Sequence, residues 1–539
     1  MPFFQLVRRE MQGSLIRLLV MSAIGGISNA AILSAVNSGA QAAGRPGLWS
    51  AALFVVALVL FIKSQHYILI AATTEIEAII HQLRVRLMDQ VRRSELLPLD
   101  AIGRAGIVAG ITRETATLTQ ATNMIAFAAQ SVVLIFFVSI YVAYLSLLAF
   151  VLSVIVVSIA ALLLHAKSAS LTAGNRAAAE WDNRLFDRLT DLLDGFKEVR
   201  LNRARSDELF EDIVEVSRTA ANIKIRTQSE SFKRMVFSQS SIYLLLGAIV
   251  FVLPVMADTD AATLAKATTS TLFVVGACFG LVQSIPILTA ANAAADNIER
   301  LETRLQAAAA EPAVGPAEPL TRFEKIEVRD ISFHYVDKSS EAVFQVGPVD
   351  FTLERGELVF ITGGNGSGKS TFMRLLAGLY QPDSGTIVLD GVPVTPRTRD
   401  VYRSLFTAIF VDYHLFKRLY GISEADPNEI DRLLMQFRLA DKTHLVDTEF
   451  TAIDLSGGQR KRLALIVSLL EKRPIFLLDE WTAEQDPDFR RKFYDELLPE
   501  LMQSGATIVA ITHDDRYLEE LHLPARRLRM DEGRFVDWR

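Results

Sequence analysis

The chain divides by how its apolar positions are grouped. Before about Ala295 they fall in long unbroken runs. After it they fall in short strands and periodic helices separated by turn-forming residues. A helix needs about 20 mostly apolar residues to cross a bilayer. The runs Leu15–Val36, Leu48–Ile70, Phe237–Met256 and Leu272–Ala291 each meet that need, and Met124–His165 is long enough for two crossings with a tight turn near Tyr144–Leu147. Six membrane helices are predicted. Pro254 lies near the outer end of the fifth, where a lost backbone hydrogen bond is least damaging.

Basic residues set the orientation. Asn37–Gly47, the turn near Leu145 and Ala257–Ser270 hold only Arg45 and Lys266. The two long connections, at about 71–123 and 166–236, carry Arg84, Arg86, Arg92, Arg93, Arg104 and Arg113, then Arg176, Arg184, Arg188, Lys197, Arg200, Arg203 and Arg205. Both long connections and both termini are therefore expected in the cytoplasm. Ile76–Gln90 and Asp182–Arg203 have helical periodicity with charged faces, so membrane helices should continue beyond the bilayer and bend back near Ser94–Ala105 and Asp194–Arg203. Helices this long need a protein partner to stay ordered, so the bends are expected to dock rather than float. Arg8 and Arg9 ahead of an apolar run look like a secretory signal, but the run is too long and further spans follow. Pro2–Gln12 is expected to be an amphipathic lead-in on the cytoplasmic surface. Lys63 and His66 fall in the cytoplasmic half of the second span, where Lys63 can snorkel. Asn29, Gln130 and Gln283 either line a cavity or bond between helices.

A Pro/Ala-rich linker, placed at 307–320, ends the membrane domain of 1–306 and precedes a soluble domain of 321–539. Phe323–Arg329 alternates as a strand should, Ile331–Tyr335 continues it, and Asp350–Leu353, Glu357–Thr362 and Gly385–Leu389 add more. The fold class is an all-α six-helix transmembrane domain followed by an α/β P-loop nucleotide-binding domain. Composition adds two exclusions. A net charge of −6 offers no general polyanion surface, so nucleic acid is not expected as a partner. A single cysteine, Cys278, excludes disulfides within the chain.

The chemistry is concentrated after the linker. Gly363-Gly364-Asn365-Gly366-Ser367-Gly368-Lys369-Ser370-Thr371 fits the phosphate-loop spacing, with a buried strand before it and a helix after it. Backbone N–H groups of such a loop, and the helix start, face phosphate oxygens. Lys369 is expected to reach the β- and γ-phosphates of ATP, and Ser370 to hold Mg²⁺. Ser456, Gly457, Gly458 and Gln459 open a second helix whose start suits an anion. Ile475–Leu478 reads as a buried strand ending in two acids, Asp479 and Glu480. An acid beside the metal and an acid beside the nucleophile must be adjacent yet differently directed, which strand alternation provides.

In this order the motifs Gly363–Thr371, Leu455–Gln459, Ile475–Glu480 and Ile511–Asp514 resemble those of ATP-binding cassette (ABC) transporters along nearly the whole chain. The resemblance implies that Asp479 supports Mg²⁺ through water and that Glu480 is the base polarising the attacking water. It implies that His513 contacts the γ-phosphate, that Asp486 lies in the loop joining two nucleotide sites, and that Tyr335 stacks on adenine. One position departs from the pattern: Ile409–Phe416 lacks the family's glutamine, and Asp412 is the nearest group able to approach a metal-bound water. Coupling between the two halves is the property this puts in question.

One membrane domain and one nucleotide domain make a half-transporter, with ATP held between the phosphate loop of one copy and Ser456–Gln459 of another. Both halves look intact here, which favours a homodimer. Leu189–Asn202, Asp412–Phe416 and Asp479–Pro487 look like the bacterial exporters of cyclic peptides and siderophore peptides. That resemblance implies a peptide-like cargo, contact with membrane lipid, and a bacterial inner-membrane location. A lipid or hydrophobic-drug exporter, and an ATP-gated channel or regulatory protein, stay open as alternatives.

Overall fold

The computed structural model describes residues 14–41, 47–166, 168–257, 260–310, 319–336, 342–422 and 426–536, with Phe3, Gln5, Leu6 and Arg9 ahead of them. Most of the lead-in segment, Arg8, Arg45 and linker residues 311–318 lie outside the described residues. The chain forms two compact units: Met1–Met88 with Arg104–Thr303, and Asp89–Gly103 with Arg304–Arg539.

The first unit is helical. Among the described residues, five helices are long and apolar enough to cross a membrane, and a sixth apolar stretch, Leu147–Ile159, is shorter. The break in the long central run falls at Ser146, whose backbone is extended. Its hydroxyl accepts the Ala149 N–H at 3.3 Å and so caps the helix Leu147–Ala166. Leu33, Leu134, Val138, Leu245, Ile249 and Ala277 form the interhelical core. Val55, Val56, Val59 and Ile62 face outward, an apolar exterior that suits lipid rather than water. Gln130 is buried and Asn29 half-buried, while Lys63 and His66 are exposed; the Gln283 side chain lies outside the described residues.

Helices outrun the hydropathic spans that seeded them. Leu48–Arg92 has 45 residues and Ala261–Ala307 has 47. Ser168–Asp194 and Arg203–Gly247 pair through Arg188–Asp212 and Lys224–Asp182, each at 2.7 Å, which explains their charged faces. Between them a short helix, Phe196–Leu201, turns the chain, and Asn202 caps the return by accepting the Arg205 N–H at 3.1 Å.

The second unit is built on a sheet ordered Arg534–Val536, Arg526–Asp531, Leu358–Thr362, Thr507–Ile511, Ile475–Asp479, Phe406–Ile409. All neighbours except the first pair run parallel. A parallel sheet covered on both faces demands unbroken apolar strands, and Leu358–Thr362, Ile475–Asp479 and Thr507–Ile511 are buried at every position. Alternation splits their side chains between two cores. Leu358, Phe360, Phe476, Leu478 and Ile508 share one core with Leu463 and Leu465. Val359, Ile361, Ile475, Leu477 and Val509 share the other with Phe372 and Leu375. A separate antiparallel sheet holds Lys325–Val336 between Ala342–Glu354 and Ser384–Leu389.

Residues Asp89–Gly103, which hold most of the bend expected near Ser94–Ala105, belong to this second unit. Glu95 N–H donates to the Ala308 carbonyl at 2.8 Å, Ala310 N–H donates to Arg93 at 2.9 Å, and Leu96 packs against the core containing Phe372. The Glu95 carboxylate lies between Arg399, at 3.2 Å, and Arg403. Arg403 in turn donates to the Gly378 carbonyl at 2.7 and 2.9 Å, just beyond the helix Lys369–Leu376.

Candidate active site

The parallel register brings three strand ends to one edge: Ile511 is level with Asp479 on one side and with Ile361 on the other. Loops leaving the carboxyl ends of parallel strands are where ligands bind in such sheets. The phosphate loop leaves after Thr362, Glu480 follows Asp479, and His513 follows Ile511 by two residues. The sequence places these groups in different segments; the sheet makes them neighbours.

Gly363 begins the loop at φ 142°, and a β-carbon there would lie 2.1 Å from the Met530 carbonyl oxygen, so only glycine fits. The chain then curls through Asn365, Gly366 and Ser367 into the helix that starts at Lys369. The Lys369 ammonium sits inside this ring, donating to the carbonyls of Gly363 at 2.9 Å and Gly364 at 2.8 Å. Burial lowers its pKa, while Glu480 and Asp479 act in the opposite direction. Ser370 and Thr371 form the first turn of the helix, with backbone N–H groups at its positive end.

Asp479 is 1% exposed, and neither carboxylate oxygen has a hydrogen-bond partner. Burial pushes its carboxyl above the usual range; the Ser370 hydroxyl, Arg374 and Lys369 pull the other way. A buried, under-partnered carboxylate beside a serine hydroxyl fits a divalent cation. Among the described residues, no three His, Cys, Asp or Glu side chains gather to hold a metal by themselves. Mg²⁺ is commonly held by one or two protein oxygens together with substrate phosphates, and Asp479 and Ser370 are oxygen donors of that kind.

Glu480 leaves the strand in a left-handed conformation, φ 50° and ψ 37°. Its carboxylate lies beside His513, whose Nε2 is 3.3 Å from Oε1. Both side chains are partly exposed, at 33% and 48%, so water has access to the pair.

The remaining candidates are placed as follows. Ser456 caps its helix in a reciprocal box: its hydroxyl accepts the Gln459 N–H, and Gln459 Oε1 accepts the Ser456 N–H at 3.2 Å. Gly457 and Gly458 lie against Glu484. Asp486 caps the helix Pro487–Lys492 by accepting the Phe489 N–H at 2.9 Å, and it pairs with Arg462. These two contacts, the backbone bond first, hold its carboxyl below the usual range. Tyr335 joins an aromatic cluster with Phe333 and Tyr380, and its hydroxyl donates to that of Tyr380 at 3.1 Å. Asp412 is bonded to Arg374 at 3.1 and 3.2 Å, and Arg374 also lies over the rings of Tyr380 and Phe410. The position that lacks a glutamine is thus tied to the helix that begins at Lys369.

Several participants are missing from the sequence reading. Lys461 and Arg462 are 2% and 7% exposed, although Arg460-Lys461-Arg462 looks like a solvated charge run. Trp481 is 1% exposed and donates its indole N–H to the Lys461 carbonyl at 2.9 Å. The usable signal was two cations inside an apolar-periodic helix, three and four residues after a glycine pair.

Comparison with known proteins identifies the family. Residues 346–483 match the family model described as ABC transporter. The ATP-binding protein SyrD of Pseudomonas syringae pv. syringae is 32% identical over 96% of this chain and 93% of its own length. The mycobactin import ATP-binding/permease protein IrtB of Mycolicibacterium thermoresistibile is 35% identical, over 36% of this chain and 35% of its own. A solved structure of a bacterial Atm1-family ABC exporter with ATP bound superposes with a TM-score of 0.77 at 17% identity, covering 98% of this chain and 95% of that one. The chain has the same fold: a helical domain with several apolar helices, then an ABC nucleotide-binding domain. By its full-length relative and its nucleotide-domain match, the chain belongs to the ABC transporter family and is an ATP hydrolase coupled to transport.

Proposed function

We propose that this chain is a half-transporter that works as a homodimer in a bacterial inner membrane and exports a peptide-like cargo from the cytoplasm. The observation that carries the reading is that one chain holds groups for both halves of a nucleotide site, with Asp412 where the family has a glutamine nearby. Lys369, Asp479, Glu480 and His513 gather at one sheet edge, and Ser456–Gln459 form a capped helix start elsewhere in the unit. Identical copies facing each other supply both halves of two equivalent sites. The peptide cargo is supported by the resemblance of Leu189–Asn202, Asp412–Phe416 and Asp479–Pro487 to peptide exporters, and by the full-length likeness to SyrD. Six membrane helices per chain belong to the same reading.

In this mechanism Lys369 and the loop N–H groups bind the phosphates, and Tyr335 supports the adenine. Ser370 and Asp479 would hold Mg²⁺, which would neutralise negative charge on the phosphates. Glu480 accepts the proton of the attacking water as its oxygen closes on the γ-phosphorus and the bond from that phosphorus to the β-phosphate oxygen breaks, releasing ADP and phosphate; His513 orients both Glu480 and the phosphate. Asp486, tied to Arg462, links this site to the helix Gly457–Leu470, the signature helix, whose start completes the other. ATP binding closes the nucleotide dimer, and hydrolysis reopens it.

The test is ATPase activity of purified protein in lipid vesicles, with a panel of cyclic peptides, linear peptides, lipids and hydrophobic drugs. Stimulation by peptides, absent in Glu480→Gln, is the expected result. Stimulation by lipid or drug alone replaces the cargo assignment, and basal activity indifferent to every cargo favours a channel or regulatory role. A Glu480→Gln protein that hydrolyses ATP at the wild-type rate rules out Glu480 as base.

A further inference from the structure

We infer that Lys461 is a positioning residue for hydrolysis: its buried ammonium fixes the main-chain turn that aims the Glu480 carboxylate. The inference rests on Glu480 acting as the base. Glu480 sits at φ 50°, a conformation that a residue with a β-carbon rarely keeps unless its surroundings impose it. Two hydrogen bonds impose it here. Glu480 N–H donates to the Ile511 carbonyl at 3.0 Å, and the Lys461 ammonium donates to the Glu480 carbonyl at 2.9 Å. The peptide plane following Glu480 is therefore held from the signature helix, while the plane before it is held from the strand that leads to His513.

The contact is reciprocal. Trp481 returns its indole N–H to the Lys461 carbonyl at 2.9 Å, and the ring is locked against Phe493 with centroids 4.6 Å apart. Lys461 is 2% exposed, and its charge is balanced by the Glu484 carboxylate at 3.1 Å. Glycine admits that carboxylate. A β-carbon on Gly457 would lie 2.1 Å from Glu484 Oε2, and one on Gly458 would lie 2.6 Å from the Glu484 carbonyl oxygen. Arg462 holds the next stretch through Gln485, at 2.8 Å, and Asp486. Of these cations on the signature helix, Lys461 is the one that bonds the residue carrying the proposed base. An ammonium–carbonyl bond is charge-assisted and directional, and an error of about 1 Å in a reacting group can lower turnover about a hundredfold.

A core cation that only stabilises the domain makes a different prediction from one that aims a base. The variants are Lys461→Met, which is unbranched, one atom shorter and without the donor, and Lys461→Gln, which keeps a donor. Trp481→Phe removes only the indole N–H. The expected result for Lys461→Met is a kcat lowered about tenfold to a hundredfold with KM for ATP nearly unchanged. Lys461→Gln should recover part of that loss, and Trp481→Phe should show a milder version of the same split. In a Glu480→Gln background, Lys461→Met should lower the residual rate by less than about twofold, because residues acting through one group are not additive. A wild-type kcat in Lys461→Met overturns the inference. So does an equal fold-loss in both backgrounds, or a rise in KM without a fall in kcat. If Lys461→Met does not fold, Trp481→Phe decides by the same criteria. Failure of the base assignment is separable: it shows as an undiminished rate in Glu480→Gln alone.

Discussion

Glu95 offers the sharpest test of how the bend at 89–103 is held in the nucleotide-binding unit. Its carboxylate is 17% exposed and lies between Arg399, 10% exposed, and Arg403, 24% exposed. Glu95→Gln preserves shape and one acceptor but removes the charge. The two arginines do not suffer equally. Arg403 keeps the Gly378 carbonyl and Asp400, the latter at 3.0 Å, whereas the nearly buried Arg399 loses its carboxylate partner. Breaking a fully buried ion pair costs about 3–5 kcal/mol, and one hydrogen bond to a charged group is worth about 1.5–3 kcal/mol. With the glutamine oxygen still accepting, the expected loss is about 1–3 kcal/mol. At about 2–4 °C per kcal/mol for a unit of this size, the nucleotide-unit melting transition should fall roughly 2–12 °C. A double-mutant cycle with Arg399→Met isolates the pair: Glu95→Gln should cost at least about 1 kcal/mol less when Arg399 is already gone. Asp400→Asn, at an exposed partner, should change stability by less than about 0.5 kcal/mol. Additive losses, or a transition unmoved by Glu95→Gln, would refute the assignment of Glu95 as the anchor. The functional counterpart is basal ATPase within about twofold of wild type and a loss of cargo stimulation, since Arg403 connects Glu95 to the end of the Lys369 helix.

Two further outcomes follow from the site. Asp479→Asn should raise the melting temperature of the nucleotide-free protein while abolishing Mg²⁺-dependent ATPase. Because burial raises the folded-state pKa of Asp479 above 3.8, the folded state binds more protons than the unfolded state between those two values. Wild-type stability should therefore fall as pH rises through that window, and the Asn variant should lose that component of the slope in thermal melts across acidic pH. Gly363→Ala should cost about 1–3 kcal/mol of strain and abolish binding of a fluorescent ATP analogue, with the Met530 carbonyl as the obstruction. Retained nucleotide affinity in that variant would contradict the loop geometry.

The phosphate loop and the acids after Leu478 were legible in sequence for a definite reason. Parallel strands buried on both faces must be short, apolar and abruptly ended, so Leu358–Thr362 and Ile475–Asp479 announce both themselves and the polar groups that follow. In the membrane half, the periodicity of Ile76–Gln90 made the continuation of Leu48–Arg92 legible. Hydropathy alone marks only the bilayer part of a helix: it placed the sixth span at Leu272–Ala291, whereas that helix runs from Ala261 to Ala307. Long-range pairs left no local trace. Arg374 and Asp412 lie 38 positions apart, and Glu95 and Arg403 lie 308 apart. Lys461 was obscured by a different effect. Its helix is buried from Lys461 through Ile466, so there is no polar face against which a charged residue stands out, and only its partners reveal why it is there.

The central claim is that ATP hydrolysis through Glu480 moves a peptide-like cargo outward. Inverted vesicles containing the protein, loaded outside with Mg²⁺, ATP and a labelled cyclic peptide, test it most directly. ATP-dependent accumulation of the peptide inside the vesicles, lost in Glu480→Gln and in Lys369→Ala, is the predicted result. Robust ATP hydrolysis with no accumulation of any peptide, or accumulation that survives in Glu480→Gln, would contradict it.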